Sequence, residues 1–346
     1  MNNDFNQEPG GHQDSGEPEL VVGLDAGGTR TRAVLATAAD GRLLGEGAAG
    51  PGNALTVPLP QLTDHLAEAV AGAVPEAARG RVVAVGGGFA GATGADEDDS
   101  GRLNALAALT AALGRLGIVV DSIAVSSDIE AAFASAPGTP ADGLALVAGT
   151  GAVAMRITGR RCTATVDGDG WLLGDDGSGF WIGREAVRAA LRMADGRGGP
   201  TVLAGAVGRA LGLPAEVLPG AASGGADWSR AVREAYRMHL LPVVMAEPPT
   251  RLARFAPLVA EAARDKDPAA QAILDQAVVQ LADTIAALEP RRGERVVATG
   301  GLLGPDGPLT VALSARLQSR GLSLDWVADG CRGAVALARL ESGRRL

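Results

Sequence analysis

Apolar runs of strand length alternate with glycine-rich turns through the first part of the chain. Three such runs, at 20–25, 32–36 and 41–46, are separated by short polar turns, which predicts that the fold opens on antiparallel strands. Apolar residues then recur at helical spacing, from Leu62 to Val70. The same pattern predicts a helix at 60–74, a buried strand at 81–86, a helix at 101–116 and a strand at 118–126.

The second half begins on the same plan. An apolar strand at 143–148 ends in a Gly/Thr turn, and strands at 152–158 and 162–166 follow it. This similarity indicates an internal duplication of an α/β unit, and two facing units would enclose a cleft of the kind that binds ligands. Beyond 183 the pattern is mostly helical, and further elements are predicted as a helix at 269–288 stopped by Pro290, a strand at 295–299 and a helix at 333–340.

Composition limits the class of protein. A chain of 346 residues suits about two domains. Aromatic residues make up only 3% of a chain that is 47% hydrophobic, so the cores must consist of Ala, Val, Leu and Ile. Lys266 is the single lysine, which excludes a phosphate-binding loop of the Gly-Lys-Ser/Thr type.

Charge and the chain termini exclude other classes. A net charge of −9 argues against nucleic-acid binding. Residues 1–19 are polar and are expected to be a disordered tail rather than a signal peptide. Because the apolar runs are short, we expect no membrane segment and a cytoplasmic protein. Cys162 and Cys331 are too far apart in sequence for a metal-binding motif.

The first Gly/Thr turn, at 27–31, directly follows the opening strand. Its glycines would allow backbone N–H groups to approach a phosphate, and its hydroxyl groups and Arg30 would add donors and charge. Asp25 at the strand end is suited to hold a hydrated Mg²⁺, which takes one or two carboxylates. The structural alternative is an ordinary hairpin turn. We predict phosphate binding by Gly27, Gly28, Thr29 and Arg30.

A second turn and an acidic helix start could complete a phosphoryl-transfer site. Gly149, Thr150 and Gly151 could hold a phosphate from the opposite side. Asp128, just after a predicted strand, could take the proton from an attacking hydroxyl. The structural alternative for Asp128 is that it caps a helix, and both roles could coexist.

The segment 168–183 combines carboxylates, glycines and two tryptophans, Trp171 and Trp181. An aromatic face beside carboxylates suits a sugar, whose C–H face stacks while its hydroxyl groups bind Asp. The structural alternative is a glycine-rich loop that caps a helix starting near Gly183, with the tryptophans packed beneath it.

These motifs together resemble the N-acetylglucosamine kinases, which are BadF/BadG/BcrA/BcrD-type ATPases of the sugar kinase–heat-shock protein–actin superfamily. The resemblance covers about residues 20–340, and its most specific part is the segment GWLLGDDGSGFWI at 170–182. One departure is Ala152, where the family has Ser in the second phosphate motif. The resemblance implies a sugar site and an adenosine motif, with Asn53, Gly91, Asp128, Gly170, Trp171 and Asp175 at the sugar and Gly300 and Gly301 at the adenosine.

The resemblance also implies a fold and a reaction. The expected fold is α/β, a two-lobed actin-like ATPase (ribonuclease H-like) with a duplicated mixed sheet flanked by helices and an interlobe cleft. One lobe would comprise 20–126 with 327–346, and the other 127–326. The implied protein is a homodimeric kinase that uses ATP and Mg²⁺ to phosphorylate an amino sugar, N-acetylglucosamine at its 6-hydroxyl, with Asp128 as the base and Asp25 holding the metal.

Four alternatives remain open from the sequence. Glucosamine is the nearest rival substrate. An ATPase activator of a 2-hydroxyacyl-CoA dehydratase shares the fold, but Cys162 and Cys331 are too few for a cluster within one chain. A sugar-responsive repressor of the related ROK group would need a DNA-binding extension, which the motifs do not indicate. The fourth is a sugar-binding protein that has lost catalysis, which Ala152 keeps open.

Overall fold

Two five-stranded mixed sheets form the framework of the protein. The structure is a computed structural model that describes residues 17–92, 98–220 and 228–343. The strand order is β3-β2-β1-β4-β5 in the first sheet and β10-β9-β6-β7-β8 in the second. The strands are β1 Leu20–Ala26, β2 Thr31–Thr37, β3 Leu43–Ala49, β4 Val82–Phe89, β5 Ser122–Ser127, β6 Gly143–Ala148, β7 Ala152–Thr158, β8 Arg161–Asp167, β9 Arg295–Thr299 and β10 Ser323–Trp326.

The two sheets repeat one topology. In each, a strand pairs antiparallel with a following hairpin and parallel with a later strand, β1 with β4 and β6 with β9. The predicted duplication and the two-lobed actin-like fold class are therefore confirmed. Residues of the predicted tail before 17 lie outside the described residues, and Glu17 forms an ion pair of 3.0 Å with Arg81.

Helices cover the sheets and join them. They are α1 Leu59–Ala73, α2 Ser100–Arg115, α3 Asp128–Ala134, α4 Gly170–Leu173, α5 Gly179–Asp195, α6 Leu203–Ala210, α7 Arg230–Met245, α8 Ala256–Arg264, α9 Pro268–Ala286, α10 Thr310–Ser319 and α11 Cys331–Glu341. As composition predicts, the cores are dominated by Ala, Val, Leu and Ile, with few rings. No helix of the described residues is both long and apolar enough to cross a membrane.

Some element boundaries differ from the sequence-based predictions. The third strand begins at Leu43 rather than 41, because Gly41 adopts φ +73° in the turn that precedes it. The fifth begins at Ser122 rather than 118, because Gly117 at φ +66° ends α2 and Ile118 N–H still donates to the Leu113 carbonyl of that helix at 3.0 Å. Helix α10 and strand β10 were not predicted, and β10 is only four residues long.

The chain crosses twice between the sheets. Helix α3 leaves the first sheet and packs on the second, where Phe133 is buried against Ala145 and Val297. Helix α11 leaves the second sheet and packs on the first, where Val335 is buried against Val21. The crossings touch each other, because Gly333 N–H donates to the Ser135 hydroxyl at 2.8 Å.

Candidate active site

Two carboxylates lie at the carboxyl ends of β1 and β5, the parallel strands on either side of β4. Asp25 on β1 is level with Gly88 on β4, and Gly88 is level with Ser126 on β5, two residues before Asp128. A Cβ atom at Gly88 would come within 3.2 Å of the Asp128 Cα, so the strand ends are tightly packed here. The predicted base and the predicted metal-holding residue therefore lie together at the carboxyl ends of the strands of the first sheet.

Asp128 is the first residue of α3 and does not cap it. The cap is Ser127, whose hydroxyl accepts from Glu130 N–H, while the buried Glu130 carboxylate accepts from Ser127 N–H at 3.0 Å. The helix-cap interpretation of Asp128 is thus wrong, because a neighbouring serine performs that role. The Asp128 Oδ1 atom accepts from Ile129 N–H at 3.0 Å.

Burial, together with the negative charge of Asp25, raises the pKa of Asp128 to about 6. A carboxylate with a pKa in this range is a suitable proton acceptor near neutral pH, since it is ionised at pH 7 yet binds a proton more tightly than an ordinary aspartate. The geometry and the raised pKa are both suited to general-base chemistry.

Asp25 is tied to the second crossing between the sheets. Its Oδ2 atom accepts from Gly330 N–H at 3.2 Å. Burial raises the pKa of Asp25, and nearby Asp329 raises it further although the Gly330 N–H and Arg32 oppose the shift. Arg32 is itself paired with Asp329 at 3.1 Å. Two carboxylates, those of Asp25 and Asp329, thus share one guanidinium, leaving negative charge that a cation would offset.

This donor set fits a hydrated magnesium ion rather than a closed metal cage. No group of three or more potential metal ligands occurs among the described residues. Mg²⁺ keeps several waters and is usually held by one or two carboxylates and by substrate phosphates. Asp25, with its uncompensated charge, is the residue that would hold it.

The first Gly/Thr turn is open to solvent. Gly27 N–H donates to Arg30 carbonyl at 2.9 Å and closes the turn, while Gly28, Thr29 and Arg30 are exposed. A Cβ atom at Gly28 would meet nothing within 4 Å, and Gly28 has no positive φ. Neither packing nor backbone conformation therefore requires glycine there, so the space is available for a ligand.

Asn53 and Gly91 lie beside this turn. Gly52 N–H donates to Gly27 carbonyl at 2.8 Å, and a Cβ at Gly91 would come within 2.8 Å of the Asn53 Oδ1 atom. That oxygen accepts from the N–H groups of Leu55 and Thr56, so it stabilises its own loop. The two predicted sugar-binding residues are adjacent in the structure, and the side-chain oxygen of Asn53 already accepts two hydrogen bonds within its loop.

The second Gly/Thr turn is fixed to the start of α5. The N–H groups of Gly179 and Phe180 donate to the carbonyls of Gly149 and Thr150 at 2.8 and 3.0 Å. The helix begins at Gly179, four residues before the predicted start, because the buried Ser178 caps it. Gly149 has open space around its Cβ position.

The predicted adenosine motif lies against this second turn. Gly300 adopts φ +105°, and a Cβ there would come within 2.2 Å of the Ala148 carbonyl oxygen, so only glycine fits. Gly301 is exposed, with no atom within 4 Å of its Cβ position. The structure therefore groups Gly149, Thr150, Gly151, Gly300 and Gly301 on the second sheet.

The predicted sugar loop joins the same group through Asp175. Its Oδ1 atom accepts from Ala152 N–H, at the start of β7, at 3.0 Å. Burial and the neighbouring carboxylates of Asp167, Asp169 and Asp176 raise the pKa of Asp175. Ala152 thus contributes its backbone N–H to the site although it lacks the hydroxyl of serine.

The two tryptophans of this segment have different surroundings. Trp171, which follows Gly170 in the short helix α4, is 40% exposed and meets Phe180 edge-to-face at 6.1 Å. Trp181 is buried in the core of the second sheet. Of the two, only Trp171 presents a ring to a ligand, and the structural alternative, in which both tryptophans pack beneath the loop, holds for Trp181 alone.

A cavity of about 810 Å³ lies against β2 and β3 of the first sheet. Its lining includes Arg30 and Arg32 from the first sheet, and Trp326 and Asp329 from the segment that returns to it. Arg30, predicted to bind phosphate, therefore lines the same cavity as Arg32, whose charge acts on Asp25.

Sequence reasoning missed the residues of the second crossing and two buried or clustered carboxylates. Asp329 and Gly330 follow β10 as Asp128 follows β5, and the predicted duplication could have indicated them. The Glu130 carboxylate accepts from Cys162 N–H, which is distant in sequence, and the Asp167 carboxylate accepts from Asp175 N–H across a loop. No local sequence pattern marks either carboxylate.

Comparisons with known proteins agree with this architecture. A candidate N-acetylglucosamine kinase from Porphyromonas gingivalis superposes with a TM-score of 0.64 at 21% identity, over 94% of this chain and 99% of that one. One from Chromobacterium violaceum gives 0.63 at 22% identity, over 93% and 99%. A ROK family glucokinase from Streptomyces griseus, with glucose and AMPPNP, gives 0.50 at 22% identity, over 93% and 99%. These likenesses establish the fold.

A curated relative is also similar in sequence. The N-acetylmuramic acid/N-acetylglucosamine kinase of Clostridium acetobutylicum is 27% identical over 187 residues, which are 54% of this chain and 58% of the relative. The aligned part thus spans less than two thirds of that relative. The sequence profile of the BadF/BadG/BcrA/BcrD ATPase family matches residues 22–326, and the chain belongs to this family.

Proposed function

We propose that this protein is an ATP-dependent kinase that phosphorylates an amino sugar, N-acetylglucosamine at its 6-hydroxyl. The observation that carries the proposal is the pair Asp25 and Asp128, which interact electrostatically at the carboxyl ends of the parallel strands β1 and β5 and are accompanied by two Gly/Thr turns. Family membership and the names of the relatives support the same reaction class.

Each group has a role in the proposed transfer. Asp128 accepts the proton of the sugar hydroxyl while the hydroxyl oxygen forms a bond to the γ-phosphorus of ATP. The bond between that phosphorus and the β–γ bridging oxygen breaks, and ADP is released. Backbone N–H groups of both turns and the guanidinium of Arg30 bind the phosphates. Gly300 and Gly301 face the adenosine. When bound, Mg²⁺ offsets phosphate charge, and Asp25 holds it.

The sugar is assigned to the loops flanking the cleft. The residues proposed to hold it are Asn53 and Gly91 on the first sheet and Gly170, Trp171 and Asp175 on the second. The exposed ring of Trp171 would stack on the C–H face of the sugar.

We propose that the chain divides into two lobes, one of residues 20–126 with 327–346 and one of residues 127–326. We also propose that the protein is a homodimer in the cytoplasm and has no nucleic-acid or membrane partner.

Glucosamine is the second candidate substrate. The carboxylates of Asp167, Asp169 and Asp176 lie close enough to Asp175 to raise its pKa. This concentration of negative charge favours the ammonium group of glucosamine over a neutral acetamide, and it disfavours the carboxylate of N-acetylmuramic acid.

The ATPase-activator alternative is less well supported. Cys331 is buried under the first sheet, whereas Cys162 lies on the edge strand β8 of the second sheet, so the two thiols of the chain are not placed together for a cluster.

The test is ATP consumption with Mg²⁺ across N-acetylglucosamine, glucosamine, N-acetylmuramic acid, N-acetylmannosamine and glucose, with a no-sugar control. Stimulation by one amino sugar supports the proposal and identifies the substrate, and the product's phosphate position is then read by NMR. ATP turnover that no sugar changes contradicts the kinase and favours an ATPase activator. The Asp128→Asn variant is the catalytic control.

A further inference from the structure

Asp167 organises the loop that carries the proposed sugar-binding residues. It is the last residue of β8 and adopts φ +64°. Its Oδ1 atom accepts from the N–H groups of Gly168 and Asp175 at 2.7 and 2.6 Å, and its Oδ2 atom accepts from Asp176 N–H at 2.9 Å. One carboxylate thus closes a loop whose ends are eight residues apart.

This closure is connected to the second Gly/Thr turn by a ring of contacts. Asp167 pairs with Val153 across β7 and β8. Asp167 then holds the backbone of Asp175, and the Asp175 side chain accepts from Ala152 N–H at 3.0 Å. Since Ala152 precedes Val153, the ring returns to its starting point, and movement of Asp167 displaces Asp175 from the phosphate turn.

The charge of Asp167 has a cost that its hydrogen bonds must offset. It repels the Asp175 carboxylate, one of the causes that raise the pKa of Asp175. Four carboxylates in one short loop repel each other, so a neutral side chain would relieve the loop if charge alone mattered. Backbone N–H groups bind an ionised carboxylate more strongly than a neutral acceptor, which accounts for an aspartate here.

We propose that Asp167 is a positioning residue that sets the sugar loop and couples it to the second phosphate turn. This inference rests on the proposed kinase function. Asp167 acts through Asp175 and through the backbone that carries Gly170 and Trp171, and not by contact with the reacting atoms. Loss of its carboxylate therefore weakens sugar binding and leaves ATP binding largely intact.

The test compares Asp167→Asn with Asp142→Asn. Asp142 also accepts from a loop N–H group, that of Gly159 at 3.0 Å, but at the opposite end of β8. We expect Asp167→Asn to raise the sugar KM about tenfold, with the ATP KM within about twofold, and Asp142→Asn to change neither. A sugar KM within about twofold of wild type, or an equal rise in both KM values, would overturn the proposal.

A second variant leaves the carboxylate in place. A Cβ at Gly174 would come within 2.3 Å of the Asp167 Oδ1 atom, so Gly174→Ala displaces the same contacts. It should reproduce the rise in sugar KM. Combining Asp167→Asn with Asp175→Ala should raise the sugar KM no more than the larger single effect, because both act on one unit. Multiplied effects would contradict coupling through Asp175.

Amide hydrogen exchange tests the ring of contacts without any activity assay. We expect the N–H groups of Asp175, Asp176 and Ala152 to lose protection in Asp167→Asn while the melting temperature stays near that of wild type. Unchanged protection at all three would overturn the proposal. If wild type phosphorylates none of the sugars, the proposed function fails, and the exchange result alone still decides whether Asp167 sets the loop.

Discussion

The Asp25 carboxylate accepts a hydrogen bond from Gly330 N–H although 305 residues separate them along the chain. This contact joins the end of the first strand to the segment that returns from the second sheet. It also places Asp25 beside Asp329, and their repulsion contributes to the raised pKa of Asp25. The proposed metal-holding residue thus also stabilises the contact between two distant segments. A substitution that tests metal binding must therefore keep this hydrogen bond.

Asp25→Asn meets this requirement, because an asparagine oxygen can still accept from Gly330 N–H while the charge is lost. We expect the melting temperature to be maintained and kcat to fall by about a hundredfold or more. The Mg²⁺ concentration required for half-maximal rate should rise. Asp325→Asn, which removes a strand carboxylate paired with Arg295, is the matched control and should keep wild-type kcat. Loss of kcat in both variants would contradict a specific role for Asp25.

The pH dependence of the rate tests Asp128 as the base. Since the pKa of Asp128 in the folded protein is about 6, the ionised form that accepts a proton predominates above this pH and is lost below it. We expect kcat/KM for the sugar to fall tenfold per pH unit below about 6. Asp128→Asn should abolish turnover at every pH while ATP and sugar still bind by calorimetry. Substantial turnover in that variant would exclude Asp128 as the base.

The same raised pKa predicts the sign of a stability effect. A carboxyl group whose pKa is higher in the folded protein destabilises the fold once it ionises, so the cost is absent below about pH 4 and complete above about pH 6. Asp128→Asn removes that cost. We expect the free energy of unfolding at pH 8 to increase by the order of 2 kcal/mol, and the gain to vanish toward pH 4. Urea denaturation at both pH values measures it, and an equal change at both would contradict the electrostatic explanation.

Alanine substitutions at two adjacent glycines, Gly300 and Gly301, should affect different properties of the protein. Gly300→Ala places a Cβ against the Ala148 carbonyl at a positive φ, so it should destabilise the fold by about 2 kcal/mol or more. Gly301→Ala meets only open space, so its melting temperature should match wild type while the ATP KM rises severalfold. Thermal denaturation and steady-state kinetics on the pair distinguish the roles. A normal ATP KM in Gly301→Ala would remove Gly301 from the nucleotide site.

The sequence predicted the parts of the fold that depend on local pattern. The strand and turn around Asp25, the repeat of that plan before Gly149 and the long helices all follow from periodicity and glycine placement. The position of Asp128 directly after a strand was also predicted, and its role as the base stays a prediction. The relation of Asp128 to Ser127 could not be predicted, since two adjacent polar residues compete for the cap and only the geometry shows that the serine takes it.

Contacts between distant segments were beyond local reasoning. The hydrogen bond from Cys162 N–H to the buried Glu130 carboxylate, at 2.9 Å, links α3 to the edge strand of the other sheet, and neither residue stands out in the sequence. Asn53 is the opposite case. Its motif is evident in the sequence, but its side-chain oxygen accepts hydrogen bonds from the N–H groups of Leu55 and Thr56 in its own loop. Periodicity gives the elements, and tertiary packing decides which polar atoms remain for a ligand.

The two crossing helices meet backbone to backbone. A Cβ at Gly333 would come within 1.8 Å of the Ala131 carbonyl oxygen, so this contact has no room for a side chain. Asp128 is the first residue of one crossing helix, and Asp25 accepts from Gly330 N–H, which immediately precedes the other. The proposed base and the proposed metal-holding residue are therefore anchored to the same contact, and any residue larger than glycine at 333 would shift the two carboxylates relative to each other.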